Sequence, residues 1–398
     1  MRRLRIGRND VEADAGGLGE RLAEAFARRE HPLCLCCSEG VPMYVARAGG
    51  RHVLKRMPGS GPQHDADCDS YEPPHGLSGL GNIAGEAIVE NIEDGETLLR
   101  LDFSLTKLAG RTAPAAREAV EAAAVRTDGS RLSLRALLHY LWDQAAFNRW
   151  RPAMAGKRNW AVVRKYLAEA AEGKTAKGKS LSDVLYIPEM FDAGREAAIG
   201  QRRAAFLAQA IQSEGKRRTL AVLIGEVKEI AAARFGFRMI VKHMPGFPFM
   251  LAEDVHRRMS KAFASELALW NATPDSHLVA AATFGVDTAG IASVEAIALM
   301  VVTDRWVPIE NRYDAVLVET LMKQGASFVK SLRYNLAVGQ PVASVVLRRD
   351  SSPPIAMYVV PDDADADYRT AFDALIAESG MESWVWDIRE GAMPALPI

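Results

Sequence analysis

The sequence predicts an α+β protein with a small metal-binding N-terminal module, a helical middle of helix-turn-helix character and a mixed α/β C-terminal region. Three observations predict this class. All four cysteines fall between positions 34 and 68, a long helical pattern rich in positive charge fills the middle, and strand-like runs alternate with helical ones after Arg218. A chain of 398 residues, 48% of them hydrophobic, can build two or three cores. The divisions are expected at residues 1–110, 111–215 and 216–398.

Residues 1–30 read as a short strand followed by an amphipathic helix over 18–29, with Leu22, Ala23 and Phe26 on one face. Cys34-Leu35-Cys36-Cys37 comes next, and 27 residues separate Cys36 from His64 in the run His64-Asp65-Ala66-Asp67-Cys68. A Cys-x-Cys pair and a His-x-x-x-Cys pair offer three thiolates and one imidazole, a complete tetrahedral set for Zn²⁺. The expected ligands are Cys34, Cys36, His64 and Cys68, with Cys37 able to replace Cys34 or Cys36 by a slip of the chain. Four protein ligands leave no open position, so the zinc is expected to be structural. Between the pairs, residues 43–47 and 52–57 flank Gly49-Gly50, a hairpin signal that returns the second pair beside the first. Thiols at metal spacing, with no apolar export signal after the basic start, suit a cytoplasmic protein. No apolar run reaches the ~18–20 residues of a transmembrane helix, so no membrane partner is expected.

Residues 71–100 begin glycine-rich and continue into strand-like pieces at 87–91 and 98–105, and the alanine-rich 113–125 reads as helix or linker. A strongly helical block spans 132–171, followed by a polar loop at 174–180 and a helix over 195–212. Strands are expected at 220–227, 235–241, 277–284, 296–302, 342–347 and 355–360. Helices are expected at 253–270, 313–324 and 365–378.

The formal net charge is −1, but it is unevenly spread. Residues 131–179 carry 11 Lys or Arg against 3 Asp or Glu, and residues 350–390 carry 10 Asp or Glu against 2 Arg. The basic pole is a candidate contact surface. Within it, Leu134, Leu138 and Leu141 stand at helical spacing, and the aromatic break Phe147-Asn148-Arg149-Trp150-Arg151-Pro152 follows. A second helix is expected from residue 157, with Trp160, Val163 and Leu167 in the core and Arg158, Arg164 and Lys165 turned away, near Lys157. Two such helices resemble a helix-turn-helix, although the break exceeds its three- or four-residue turn. Arg149, Arg151, Lys157, Arg158, Arg164 and Lys165 are the candidate nucleic-acid contacts. The competing reading is a helical hairpin with a solvated basic face.

Gly173-Lys174-Thr175-Ala176-Lys177-Gly178-Lys179-Ser180 matches a Walker A string in form. A P-loop leaves a strand and opens a helix, whereas this string follows a helical run, so a polar loop is expected. Residues 345–350 and 355–360 form a hairpin pattern resembling the strand pair of PD-(D/E)xK nucleases. Its second strand lacks the acidic-x-Lys that would help hold Mg²⁺, and Asp350 reads as a turn former. No Ser/His/Asp or Cys/His catalytic grouping is legible among the eight histidines. His243 and His277 read as structural, and His31, His52 and His75 as surface or loop residues.

The run from His64 to Glu72, the 134–150 block continuing to Arg158-Asn159-Trp160, and Phe328-Val329-Lys330-Ser331-Leu332-Arg333-Tyr334-Asn335 resemble a bacterial family. That family is catalogued as domain of unknown function 1173, and the resemblance spans nearly the whole chain. It brings no established activity, and it implies a setting on plasmids and integrative conjugative elements with DNA as a partner. Cys37 beside Cys36 departs from the family pattern and leaves the first ligand pair open. The expected function is therefore a zinc-containing nucleic-acid-binding accessory protein of a mobile element, for DNA rather than RNA, without catalysis of its own. The alternatives are a divergent or inactive PD-(D/E)xK-like nuclease and a protein–protein scaffold that self-associates through its charge poles.

Overall fold

Strand pairing crosses both expected divisions of the chain. In the computed structural model, which describes residues 3–13, 16–108, 129–211, 213–214, 217–349 and 352–398, Thr97–Leu99 pairs with Lys174–Ala176 and Leu185–Tyr186 with Ala221–Ala232. Arg149–Trp150 pairs with Ser327–Lys330. The expected helix or linker at 113–125 and the expected turn former Asp350 lie outside the described residues.

The N-terminal sheet is antiparallel, in the order Asn9–Glu12, Arg3–Ile6, Leu33–Cys34, Val41–Ala48, Arg51–Arg56. Gly49 and Gly50 turn its hairpin with φ of 55° and 75°, the left-handed geometry that a two-residue type I′ loop requires. The helix Leu18–Ala27 buries Leu22 and Ala25 with Ile6 and Val45.

Beyond residue 220, Ala221–Ala232, Phe237–Val241, Phe249–Leu251, Ala292–Val302 and His277–Val286 pair in that order, and the last pairs back with the first. The ring of pairings makes a closed five-stranded barrel, which removes free edges from these strands. Bulges at Val227/Glu229 and Thr283/Phe284 supply local bends. Side chains alternate between two cores. Leu278, Ala280, Ala282 and Phe284 join Met239 and Phe249, whereas Val279 and Ala281 join Leu137 and Trp142. Because both faces are covered, these strands read as nearly unbroken apolar runs.

The helical middle departs from the helix-turn-helix expectation. In helix Leu134–Gln144 every residue from Ala136 to Asp143 is buried, so the first helix of the pair has no free face with which to cross a DNA backbone. The aromatic break is the strand Arg149–Trp150, an edge of the C-terminal sheet, with Trp150 only 1% exposed. The second helix starts later than expected, at Trp160–Ala171, where the Asn159 side chain caps it by accepting from the Val162 N–H. The Walker-like string is likewise not a loop. Lys174–Ala176 and Lys179–Ser180 form a hairpin turned at Lys177 and Gly178, and Lys174 is buried.

The C-terminal sheet runs Glu382–Asp387, Ser352–Val360, Val345–Arg349, Ser327–Lys330, Arg149–Trp150. Its first two strands are parallel, as a crossover allows, and helix Ala366–Ser379 between them packs Phe372 edge-on to Tyr358. The hairpin pattern expected at 345–360 is thus the middle of a five-stranded sheet.

Candidate metal centre and the adjoining cavity

Backbone pairing fixes the first thiol. Cys34 ends a strand held between Leu4 and Val41, and the next residue donates its N–H to the Arg3 carbonyl at 2.9 Å, which turns Cys36 inward. His64 follows the short turn Gly61–Gln63, and Cys68 is placed by its own N–H bond to the Asp65 carbonyl at 2.9 Å. The ligand atoms of Cys34, Cys36, His64 and Cys68 all lie within 4.8 Å of one another. Cys34 Sγ is 3.7 Å from Cys68 Sγ, and His64 Nδ1 lies 3.4 Å from Cys36 Sγ and 3.8 Å from Cys68 Sγ. A tetrahedron with metal–sulfur bonds of about 2.3 Å sets its sulfurs about 3.8 Å apart, so the donor set fits a metal ion of that size. Cys37 is not in that mutually close group: its Sγ donates to the Gln63 carbonyl at 3.5 Å and lies 3.8 Å from Cys36 Sγ.

The surroundings favour negative charge on sulfur. The Asp65 N–H donates to Cys36 Sγ at 3.5 Å and the Ser70 N–H to Cys68 Sγ at 3.4 Å. Three thiols this close still cannot all ionise unaided. The Cys68 partner holds Cys34 down at about 3, burial pushes Cys36 up to about 11, and the Cys34 partner together with burial pushes Cys68 higher still. A divalent cation removes that conflict by neutralising the thiolates it gathers.

The candidate metal loop is gripped from the C-terminal sheet by arginines. Arg149 donates to the Asp69 carbonyl at 2.7 Å, and Arg151 to the Asp67 carbonyl at 2.9 Å and to the Asp69 carboxylate at 3.0 Å. Arg158 was expected to point outward. Instead it donates to the carbonyls of Ala146, Phe147, Arg149 and Arg305, and burial lowers its pKa to about 10. The reason is that the break leaves several carbonyls without strand or helix partners, and one guanidinium carries five donors. Arg164 is half-buried on the Ile187 carbonyl at 3.2 Å, while Lys157 and Lys165 are exposed. Of the other singled-out histidines, His277 and His243 approach the buried Glu226 at 2.8 and 3.6 Å, and Lys242 meets the same carboxylate at 2.8 Å.

A cavity of about 700 Å³ opens beside the metal loop. The Asp69–Glu72 stretch forms one wall, the hairpin residues Lys55 and Arg56 another, and Tyr140, Asp143 and Arg149 a third. Glu72 is buried, with Oε2 at 2.5 Å from Arg56 and 3.2 Å from His75 Nε2. Burial would raise its pKa, but Arg56, the His75 bond and Arg149 outweigh that and hold it at about 2. Asp143, also buried, is pushed up by burial and then by the charge of Glu72. Glu72 Oε1, Tyr140 OH and Arg149 Nε are buried without a hydrogen-bond partner. The three segments that carry the resemblance meet here, with residues 64–72 and 134–150 at the cavity and 328–335 behind it, lining a smaller adjoining void.

A family model described as "Protein of unknown function (DUF1173)" matches residues 4–389. The chain belongs to the DUF1173 family. No curated protein and no solved structure matches it. Among the described residues of this DUF1173 member, no helix is long and apolar enough to cross a membrane. Sequence reasoning missed the cavity residues Arg56, Glu72, His75 and Asp143. One signal for them existed: Asp143 is the lone acidic residue in a helix whose other residues, apart from Arg135, His139 and Gln144, are apolar or aromatic.

Proposed function

We propose that Cys34, Cys36, His64 and Cys68 hold a structural Zn²⁺, and that the loop it anchors walls a binding site for a small phosphate-bearing molecule. The observation that carries this reading is the cavity of about 700 Å³ with Lys55, Arg56 and Arg149 in its walls. That volume lies within the range of roughly 300–1,000 Å³ typical of ligand sites. Arg149 has a buried Nε with no partner, and burial lowers the pKa of both Lys55 and Arg149. An anion placed among these cations would satisfy that donor and offset their desolvation. Leu54, Met57 and Ile88 supply apolar surface for the remainder of the ligand.

Calorimetric titration with inorganic phosphate and with p-nitrophenyl phosphate tests the reading. The wild type should bind both, and Arg149→Gln should weaken binding at least tenfold, because a charged hydrogen bond is worth about 1.5–3 kcal/mol. Lys55→Gln, in the hairpin wall, should weaken it as well. Failure of the wild type to bind either probe, or unchanged affinity in both variants, would rule the site out.

One observation favours a second reading, nucleic-acid binding in the mobile-element setting. Lys157 and Lys165 are exposed, with Arg164 half-buried near them. If both lysines touch duplex phosphates, Lys157→Gln/Lys165→Gln should flatten the slope of log K against log salt by about 1.8, at about 0.9 per contact. A wild-type slope in the double variant would make this a solvated face.

A further inference from the structure

We infer that this site hydrolyses the phosphate ester it binds, with Asp143 as general base, His75 as general acid and Glu72 as the residue that positions His75. The inference rests on the ligand reading above and adds a reaction to it. Its geometric basis is a second, smaller void of about 20 Å³ whose lining shares Glu72, His75, Leu80 and Asp143 with the large cavity. A water molecule needs roughly 10–15 Å³ and two to four polar partners. Glu72 Oε1 and Asn148 Oδ1 are both buried and unpartnered, which leaves two acceptors waiting for one donor molecule. The structure thus has a place for a single water beside two carboxyls, next to a space of ligand size.

The groups around that place have distinct situations. Asn148 Nδ2 donates to Asp143 Oδ1 at 2.7 Å and so fixes the carboxyl. Besides Asn148, the charged groups that act on Asp143 are Glu72, Arg149 and Arg56. Burial and the Glu72 charge make the Asp143 carboxylate a stronger base, while Glu72 stays ionised against Arg56. His75 Nε2 is tied to Glu72 Oε2 at 3.2 Å, so Nδ1 is the nitrogen left to exchange a proton with a ligand.

In the step, the water oxygen bonds to phosphorus as the bond from phosphorus to the alcohol oxygen breaks. Asp143 takes the water proton, and His75 gives its proton to the departing oxygen. Arg149 and Arg56 hold the non-bridging oxygens, where the charge sits. Products are phosphate and an alcohol, and solvent returns the proton from Asp143 to His75.

The test uses the full chain and two esters, p-nitrophenyl phosphate and phenyl phosphate, with calorimetric binding measured alongside turnover. The wild type should turn over both. Asp143→Asn should bind within about threefold of wild type yet lose at least a hundredfold in kcat, the lower end of what a general base contributes. His75→Gln should lose more rate on phenyl phosphate than on p-nitrophenyl phosphate, because only the poorer leaving group needs the proton. A merely structural role for His75 would slow both equally. If the wild type binds phosphate but cleaves neither ester, the hydrolytic inference falls and the binding site stands. If it binds neither probe, both fall. Wild-type turnover in Asp143→Asn, or equal losses on the two esters in His75→Gln, would also overturn the inference.

Discussion

Replacing Cys68 by serine is expected to strip the metal and loosen the loop that carries Glu72. A serine hydroxyl stays protonated at neutral pH and is a poor zinc ligand, so three donors remain where four are needed. Structural zinc contributes apparent binding energies of about 10–16 kcal/mol in isolated zinc-finger peptides, and that energy is folding energy for the segment it closes. Here the segment has little else to hold it. Its buried apolar cluster is Leu4, Cys34, Val41, Met43, Cys68 and Tyr71, so two of six members are themselves proposed ligands. The arginine grips from the C-terminal sheet land largely on carbonyls of Asp67 and Asp69, and they need that loop in its folded shape. Elemental analysis should find one zinc per chain in the wild type and far less in Cys68→Ser. Proteolysis with a chelator should cut within residues 57–75, and phosphate affinity should drop with the metal, while the barrel stays resistant. Equal zinc in both proteins, or none in the wild type, would refute the assignment.

What the sequence reveals, and what it hides, follows from the kind of signal each feature leaves. The candidate metal set is legible because coordination chemistry restricts residue type and spacing together, and Gly49-Gly50 marks its hairpin because few residues accept positive φ at two successive positions. The long strands from 221 to 302 are legible as apolar runs. Their closure into a barrel is not, because a period of two tells which faces are buried and says nothing of which strand lies alongside. Charge counting identified the 131–179 pole but not the use of its members. Arg149, Arg151 and Arg158 donate to main-chain carbonyls, with the Arg149 Nε left over, and such partners carry no side-chain signature. His75 and Asp143 look ordinary in the sequence for a related reason: the Glu72 carboxylate that bonds His75 and acts on Asp143 meets them only in the fold.

Lys330→Met should be among the most destabilising single changes outside the metal loop. Lys330 is 1% exposed, donates to the Ser331 carbonyl at 3.0 Å and stands 3.4 Å from the Asp314 carboxylate, which is itself buried. Removing one partner of a buried pair leaves the other charge uncompensated, at a cost of about 3–5 kcal/mol. Methionine matches the lysine stem in length, so a packing void is a minor part of that loss. Asp314→Asn in the same chain should recover most of it, because the neutral amide keeps an oxygen for the Glu310 N–H, bonded to Asp314 at 2.9 Å. The sign with pH follows from Asp314, whose pKa is already raised by burial and then by Glu310, with Lys330 opposing. A carboxyl raised in the folded state carries no penalty below its unfolded value of about 3.9, and the penalty grows until pH passes the folded value. Without Lys330 that folded value climbs further. The gap in unfolding free energy between wild type and Lys330→Met should therefore be widest at neutral and higher pH and narrow on acidification. Wild-type Lys330 also loses its charged partner once Asp314 is protonated, which narrows the gap again. Urea unfolding of the four chains of the cycle, at about pH 5 and pH 8, measures this directly. A gap that does not change with pH, or a double variant no more stable than Lys330→Met, would show that packing rather than charge makes Lys330 necessary.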